Sequence, residues 1–247
     1  MTTEHNWFAD AELLSPELLK EFGKTLIVAP HQDDESLGCG GTIALLRQLH
    51  LPVHVLFVSD GSMSHPNSKA YPTEKLIKLR ENESIHALQI LDVDQDDITF
   101  LHLKDSKLPS IEMPGFDEAV NSIREILLKI KPQTIIIPWQ RDPHPDHRST
   151  WQIMHEAINQ IDFPVKKLEY LIWLWERANE SDLPDPQEHK IWEVNIEQTL
   201  VQKKEAIAAH ISQTTTLIDD DPEGFILSPE VLAHFDKKTE IFIERLS

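Results

Sequence analysis

The sequence predicts an α/β fold, a mostly parallel sheet with helices on both faces, and three observations carry that reading. Short apolar, β-branched runs recur along the chain, among them "KTLIVAP" at 24–30 and "TIIIPW" at 134–139. Such runs are how strands covered on both faces look in sequence. Between them lie segments of helical periodicity about 10–15 residues long, the alternation expected of a Rossmann-like sheet. With 247 residues, 40% of them hydrophobic, the chain is long enough for one sizeable core.

Taken in order, the first strand spans 24–30 and ends at Pro30. "TIALLRQLH" at 42–50 places apolar residues at helical spacing, and "VHVLFVSDG" at 53–61 is a second buried strand. Together they form a βαβ unit, with Gly38, Gly40 and Gly41 read as the turn before its helix. A polar loop at 62–74, a helix over "EKLIKLRENESIHALQIL" and a strand over "ITFLHL" at 98–103 follow. The helix over "FDEAVNSIREILLKI" stops at Lys131-Pro132, because proline cannot continue it, and the strand at 134–139 comes next. Beyond 165, "KKLEYLIWLW" and "HKIWEVNI" read as strands, with Trp173 and Trp175 on one face of the former by alternation. "ANESDLPDPQE" is the polar loop between them, and helices at 196–212 and 229–245 close the chain. The expected organisation is a single domain over 1–247, a core of about 24–165 and a C-terminal β/α extension over 166–247.

A formal charge of −19 repels phosphate backbones and anionic headgroups, so neither nucleic acid nor membrane is an expected partner. One cysteine, Cys39, cannot form an intramolecular disulfide and fits a reducing compartment. "MTTEHNWFADAELL" has neither the basic start nor the apolar stretch of a secretory signal, and no run approaches the ~20 apolar residues of a membrane helix. A cytoplasmic protein is expected.

Ligands of open parallel sheets bind at the carboxyl ends of the strands. There, "APHQDDESLGCGG" at 29–41 sets His31 and Asp34 three positions apart across a turn, able to converge on one point while Asp33 points elsewhere. An imidazole nitrogen and a carboxylate oxygen suit zinc, and a catalytic zinc takes three protein ligands and keeps one position open. Two other readings stand beside this. The acidic run could simply complement a helix N-terminus, and the glycines could cradle a phosphate, although the acidic neighbours and the spacing speak against it. A second constellation, "PWQRDPHPDHRST" at 138–150, follows a different strand on the same edge. His144 and His147 flank Pro145 and Asp146 there, and could complete an open site or, in a chain with 13 histidines, be ordinary surface.

His31, Asp33, Asp34 and Glu35 followed by "LGCGGT", together with "HPDH" at 144–147, resemble the LmbE-like, or PIG-L, family of zinc-dependent N-acetylglucosaminyl deacetylases. "SDGSMSHP" at 59–66, "LRENESIHAL" at 79–88, "KDS" at 104–106 and "KKEAIAAHISQ" at 203–213 agree with it. Gln32 departs from it, standing where the family often has proline. The resemblance implies that His31, Asp34 and His147 bind Zn2+, with Fe2+ or Co2+ as alternatives. It makes Asp33 the general base toward a metal-activated water, His144 the positive partner of the oxyanion, and Asp146 the residue that holds His144 in its tautomer and favours its charged form. Arg80 and Asp105 would hold substrate hydroxyls, although Arg80 could instead pair with Glu83 along its helix. Glu35 either supports the metal site or caps the helix, and His65 and His210 are read as packing or loop residues. The expected reaction is removal of the N-acetyl group from a small N-acetylglucosamine-type sugar, by a chain that could also self-associate as a homo-oligomer. A nucleotide-dependent transferase and a non-catalytic metal- or sugar-binding module are the competing readings.

Overall fold

The computed structural model describes Phe8 and residues 11–246, so most of the N-terminal stretch read for a signal lies outside the described residues. In chain order the elements are β1 (Glu12–Leu13), α1 (Pro16–Lys20), β2 (Thr25–Ala29), α2 (Asp34–Gln48), β3 (Val53–Ser59), α3 (Thr73–Ile90) and β4 (Ile98–Leu103). They continue with α4 (Phe116–Ile130), β5 (Thr134–Pro138), α5 (Pro145–Asn159), β6 (Lys166–Tyr170), α6 (Leu174–Arg177) and β7 (His189–Asn195). The last are α7 (Leu200–Ala209), α8 (Ile211–Thr214), α9 (Pro229–Phe235) and β8 (Thr239–Arg245).

All eight strands join one sheet in the order β1-β7-β8-β6-β5-β2-β3-β4. Among the described residues, only the pairings of β8, with β6 and with β7, are antiparallel. The alternation along β2 shows how the sheet is covered on both sides. Leu26 and Val28 pack with Ile123 and Leu127 of α4 and Met154 of α5. Ile27 and Ala29 pack with Leu37 and Ile43 of α2, Leu88 of α3 and Ala206 of α7. From β2 the chain progresses one way through β3 to β4, and from β5 the other way to β6. The order therefore reverses between β2 and β5, the crevice where open α/β sheets bind ligands, and the two histidine-bearing loops leave these two strands.

Several elements differ from the sequence reading. The three glycines lie inside α2, which begins at Asp34, and are not a turn. A Cβ on Gly38 would come within 2.3 Å of Tyr170 Cδ2, and one on Gly41 within 2.5 Å of Ile196 Cδ1, so they let the helix lie close against the sheet. The backbone N–H groups of Gly41 and Thr42 donate to the Glu240 carboxylate at 2.8 Å each, and Lys203 Nζ closes that buried pair at 2.8 Å. Gly38→Ala is accordingly expected to destabilise. Overpacking at about 1–3 kcal/mol outweighs the helix-propensity gain of about 1 kcal/mol. A Tm lowered by a few degrees in thermal unfolding checks this, and a raised Tm contradicts it.

The expected helix over 229–245 is α9 followed by β8. Phe242 packs to one side of the sheet and Ile241 and Ile243 to the other, the two-residue period of a strand paired on both edges. β6 ends at Tyr170, so Trp173 and Trp175 do not share a strand face: Trp173 caps α6 and Trp175 lies within it. The helix α5 was not anticipated, although Pro145 at its first turn is a start signal.

Candidate metal centre at the carboxyl edge of the sheet

The loop after β2 is built to hold Asp33 in an unusual conformation. Asp33 has φ 150° and ψ −26°, a region L residues rarely adopt and worth roughly 1–3 kcal/mol of strain. Its carbonyl accepts from Ser36 and Leu37, and its N–H donates to Glu35 Oε2 at 3.1 Å. Glu35 Oε1 meets Ser36 Oγ at 2.7 Å and His210 Nε2 at 3.0 Å. Gln32 acquires a role here: its Nε2 donates to Ser59 O at 2.9 Å and its backbone carbonyl accepts from Arg80 Nη2 at 2.8 Å, tying the loop to the end of β3 and to α3.

Three of the expected ligands converge. Asp34 Oδ2 lies 3.3 Å from His31 Nδ1 and 3.3 Å from His147 Nε2, and also accepts the His31 backbone N–H at 2.9 Å. Ring nitrogens of His31, His144 and His147 lie within 4.8 Å of one another. His147 is wholly buried, yet neither ring nitrogen has a hydrogen-bond partner among the described residues, although Asp142 Oδ1 stands 3.3 Å from Nδ1. A buried imidazole with an unused nitrogen facing a shared carboxylate oxygen fits a divalent cation held by two histidines and an aspartate. The opposite edge of the His31 ring faces carboxylates, with Nε2 3.2 Å from Asp146 Oδ2 and 3.4 Å from Asp105 Oδ1. Those two are pinned by backbone N–H groups, Ser106 to Asp146 at 2.7 Å and Met63 to Asp105 at 2.8 Å. His31 with Asp105 and Asp146 also forms a compact cluster of its own. The geometry is that of a ligand imidazole whose second nitrogen is held by carboxylates, the arrangement that orients metal-binding histidines.

The role expected of Asp146 therefore shifts. Its carboxylate faces His31, and it is the Asp146 backbone N–H that donates to His144 Nδ1 at 3.2 Å, leaving Nε2 of His144 to carry the proton. Burial, then the charges on His147 and His31, push the His144 pKa down to about 4 against the pull of Asp146 and Asp34, so the ring is a neutral donor and not a cation. Burial raises Asp33 to about 7 against the opposing Arg80, whose Nη2 lies 3.6 Å from Asp33 Oδ2. Asp34 moves the other way: burial opposes its charge, but His147 and His31 outweigh burial and hold it well below the carboxylate range. His147 rises to about 9, burial being outweighed by Asp34 and Asp142.

Arg80 and Glu83 do not pair. Arg80 Nη1 and Nη2 bind the carbonyls of Gly61 and Gln32, while Glu83 takes the N–H and the hydroxyl of Ser212 at 2.8 and 2.6 Å. One turn of α3 thus anchors two separate walls of the site. The walls enclose an open cleft of about 150 Å³. Its lining includes the polar His31, Asp33, Asp34, Arg80, Asp105 and His144 and the apolar Leu37, Met63, Ile172, Trp173, Phe225 and Leu227. Sequence reasoning placed no weight on Asp142, which receives the N–H groups of His144 and Trp173 and backs His147, nor on His210, Gln213 and Phe225. Asp142 stood within the histidine-rich loop, and His210 and Gln213 within the 203–213 stretch that resembles the family, so each could have been found there; Phe225 carries no local signal of a site.

Fold and site together define an α/β protein with a candidate metal centre at the topological switch point of its sheet. The chain matches the PIG-L family, described as GlcNAc-PI de-N-acetylase, over residues 26–158, more than half its length, and belongs to that family. Among its relatives is a probable N-acetyl-alpha-D-glucosaminyl L-malate deacetylase 2 of Bacillus anthracis, 27% identical over 205 residues, covering 82% of this chain and 86% of that one. A diacetylchitobiose deacetylase of Thermococcus kodakarensis is 30% identical over 151 residues, covering 60% and 54% respectively. In fold, the chain is similar to the N,N'-diacetylchitobiose deacetylase of Pyrococcus horikoshii, with a TM-score of 0.70, 23% identity, and coverage of 94% of this chain and 86% of that one.

Proposed function

We propose that the protein is a zinc-dependent hydrolase that removes the acetyl group from a small N-acetylglucosamine-type sugar or its glycoside. The observation that carries this is the convergence of His31 and His147 on one oxygen of Asp34, with the non-converging carboxylate of Asp33 lining the same cleft. His31, Asp34 and His147 would hold the cation, and a zinc ion bound there supplies Lewis acidity toward water and the amide carbonyl. Asp33, titrating near neutrality, accepts the proton of the attacking water. His144 directs its Nε2–H at the carbonyl oxygen as charge builds on it. The C–N bond then breaks, acetate leaves, and the proton that Asp33 took from water passes from Asp33 to the departing amine. Asp142 positions His147, and Asp146 and Asp105 position His31. Arg80 spends two of its donors on loop carbonyls and lines the cleft, where it and Asp105 would meet substrate hydroxyls.

The relatives named as deacetylases of glucosaminyl malate and of diacetylchitobiose support the sugar class. The transferase reading loses its footing, because the glycines that would have cradled a phosphate are packed inside α2 against Tyr170 and Ile196. The one sheet shared by residues 12–245 supports a single domain, with the C-terminal extension completing both the sheet and the cleft. The lone, buried Cys39 supports a reducing, cytoplasmic setting, and no helix among the described residues is long and apolar enough to cross a membrane. The test is a panel of N-acetylglucosaminides assayed for free amine. Amine is expected with zinc, is lost on chelation and returns on adding zinc back; a panel that yields none at any metal loading overturns the reading.

A further inference from the structure

Gln213 is fully buried, lines the cleft, and belongs to α8. Its amide orientation is fixed by a chain of committed hydrogen bonds. Ser212 Oγ gives its proton to Glu83 Oε2 at 2.6 Å and is left to accept, which it does from Gln213 Nε2 at 2.9 Å. The other neighbour of Nε2 is Ser64 Oγ at 3.4 Å. With Nε2 facing the serines, Oε1 points away from them and has no hydrogen-bond partner among the described residues. A buried amide oxygen without a donor is uncommon and unfavourable, and the cleft is the place from which a donor can arrive. Ser64, Ile172, Trp173, Phe225 and Leu227 line the same cleft as Gln213.

We infer that Gln213 is a specificity-determining residue whose Oε1 accepts a hydrogen bond from a ring hydroxyl of the bound sugar. The inference rests on the deacetylase reading for the position of the reacting amide, which Asp33, His144 and the metal ligands claim. The donor reaching Gln213 is therefore another group of the same molecule, and on a sugar that group is a hydroxyl. A site that buries an acceptor for a hydroxyl discriminates against the analogue lacking it, because the acceptor is then left unpaired.

Binding is measured by calorimetry on zinc-loaded protein in an Asp33→Asn background, with and without Gln213→Met, using methyl N-acetylglucosaminide and analogues each lacking one ring hydroxyl. Gln213→Met is expected to weaken binding of the parent sugar roughly 10- to 100-fold. One analogue should bind the unsubstituted background as weakly as the parent binds the variant, and lose nothing further on Gln213→Met. Equal losses for the parent and every analogue mark a merely structural residue and overturn the inference, as does no loss at all. Gln213→Glu, which keeps an acceptor, should retain more affinity for the parent than Gln213→Met; the reverse order counts against it. If the pattern appears while the wild-type protein releases no amine, the deacetylase reading fails and Gln213 keeps its role. If no sugar binds, the role of Gln213 falls even where some other N-acyl compound is hydrolysed.

Discussion

Asp33→Asn is expected to lower the rate of amine release by roughly 100- to 10,000-fold while leaving the bound metal in place, the loss usual when a general base is removed. The two halves of that outcome come from different parts of the geometry. Asp33 stands beside Asp34 in the chain, but its carboxylate faces Arg80 at 3.6 Å, whereas the convergent oxygen belongs to Asp34. Removing its charge therefore removes a proton acceptor and not a ligand. Asparagine is also the mildest change for the backbone, since it tolerates positive φ better than most residues and keeps the side-chain shape. It further relieves a buried carboxylate whose desolvation already raises it to about 7, so the fold should be no less stable. Metal content by atomic emission, Tm and initial rate together decide the matter. A variant that keeps metal and full activity shows that another group takes the proton, and one that loses metal shows that Asp33 is a ligand.

What could be read in the sequence follows the range over which each feature is determined. β2, β3 and β5 were legible because strands covered on both faces must be apolar at every position, a property of the segment itself. The ligands His31, Asp34 and His147 were legible because each loop presents chemistry-bearing residues directly after such a strand, and parallel topology brings those loop ends to one edge. The glycines of α2 were misread because what they make room for, Tyr170 and Ile196, lies more than 130 residues away in the chain. In isolation a glycine run looks like a turn. β8 was read as helix for the same reason: its strand character depends on the two partners that flank it. The carboxylate of Asp146 belongs to the same class of error. Adjacency to His144 in sequence suggested a partnership, but the helix start at Pro145 turns that carboxylate toward His31 and leaves only its N–H for His144.

Removing the imidazole of His147 tests the metal reading most directly, because no other expected ligand is so completely enclosed. His147→Ala should abolish detectable metal binding at stoichiometric zinc and lower amine release at least as far as Asp33→Asn, with no recovery on adding zinc. The variant is also expected to be less stable by about 3–5 kcal/mol, since Asp34 and Asp142 each face His147 at 3.3 Å and would be left as buried carboxylates without that partner. Asp142→Asn separates ligand from support. It leaves both nitrogens of His147 in place and retains one acceptor oxygen for the N–H of His144 or of Trp173, so a metal affinity reduced by roughly 10- to 100-fold is expected, recoverable with excess zinc. Recoverable loss in one variant and irrecoverable loss in the other is the signature of a ligand braced by a carboxylate. Equal and irrecoverable losses would instead mean that Asp142 reaches the metal itself, and full metal binding by His147→Ala would move the centre to the other face of His31, among Asp105 and Asp146.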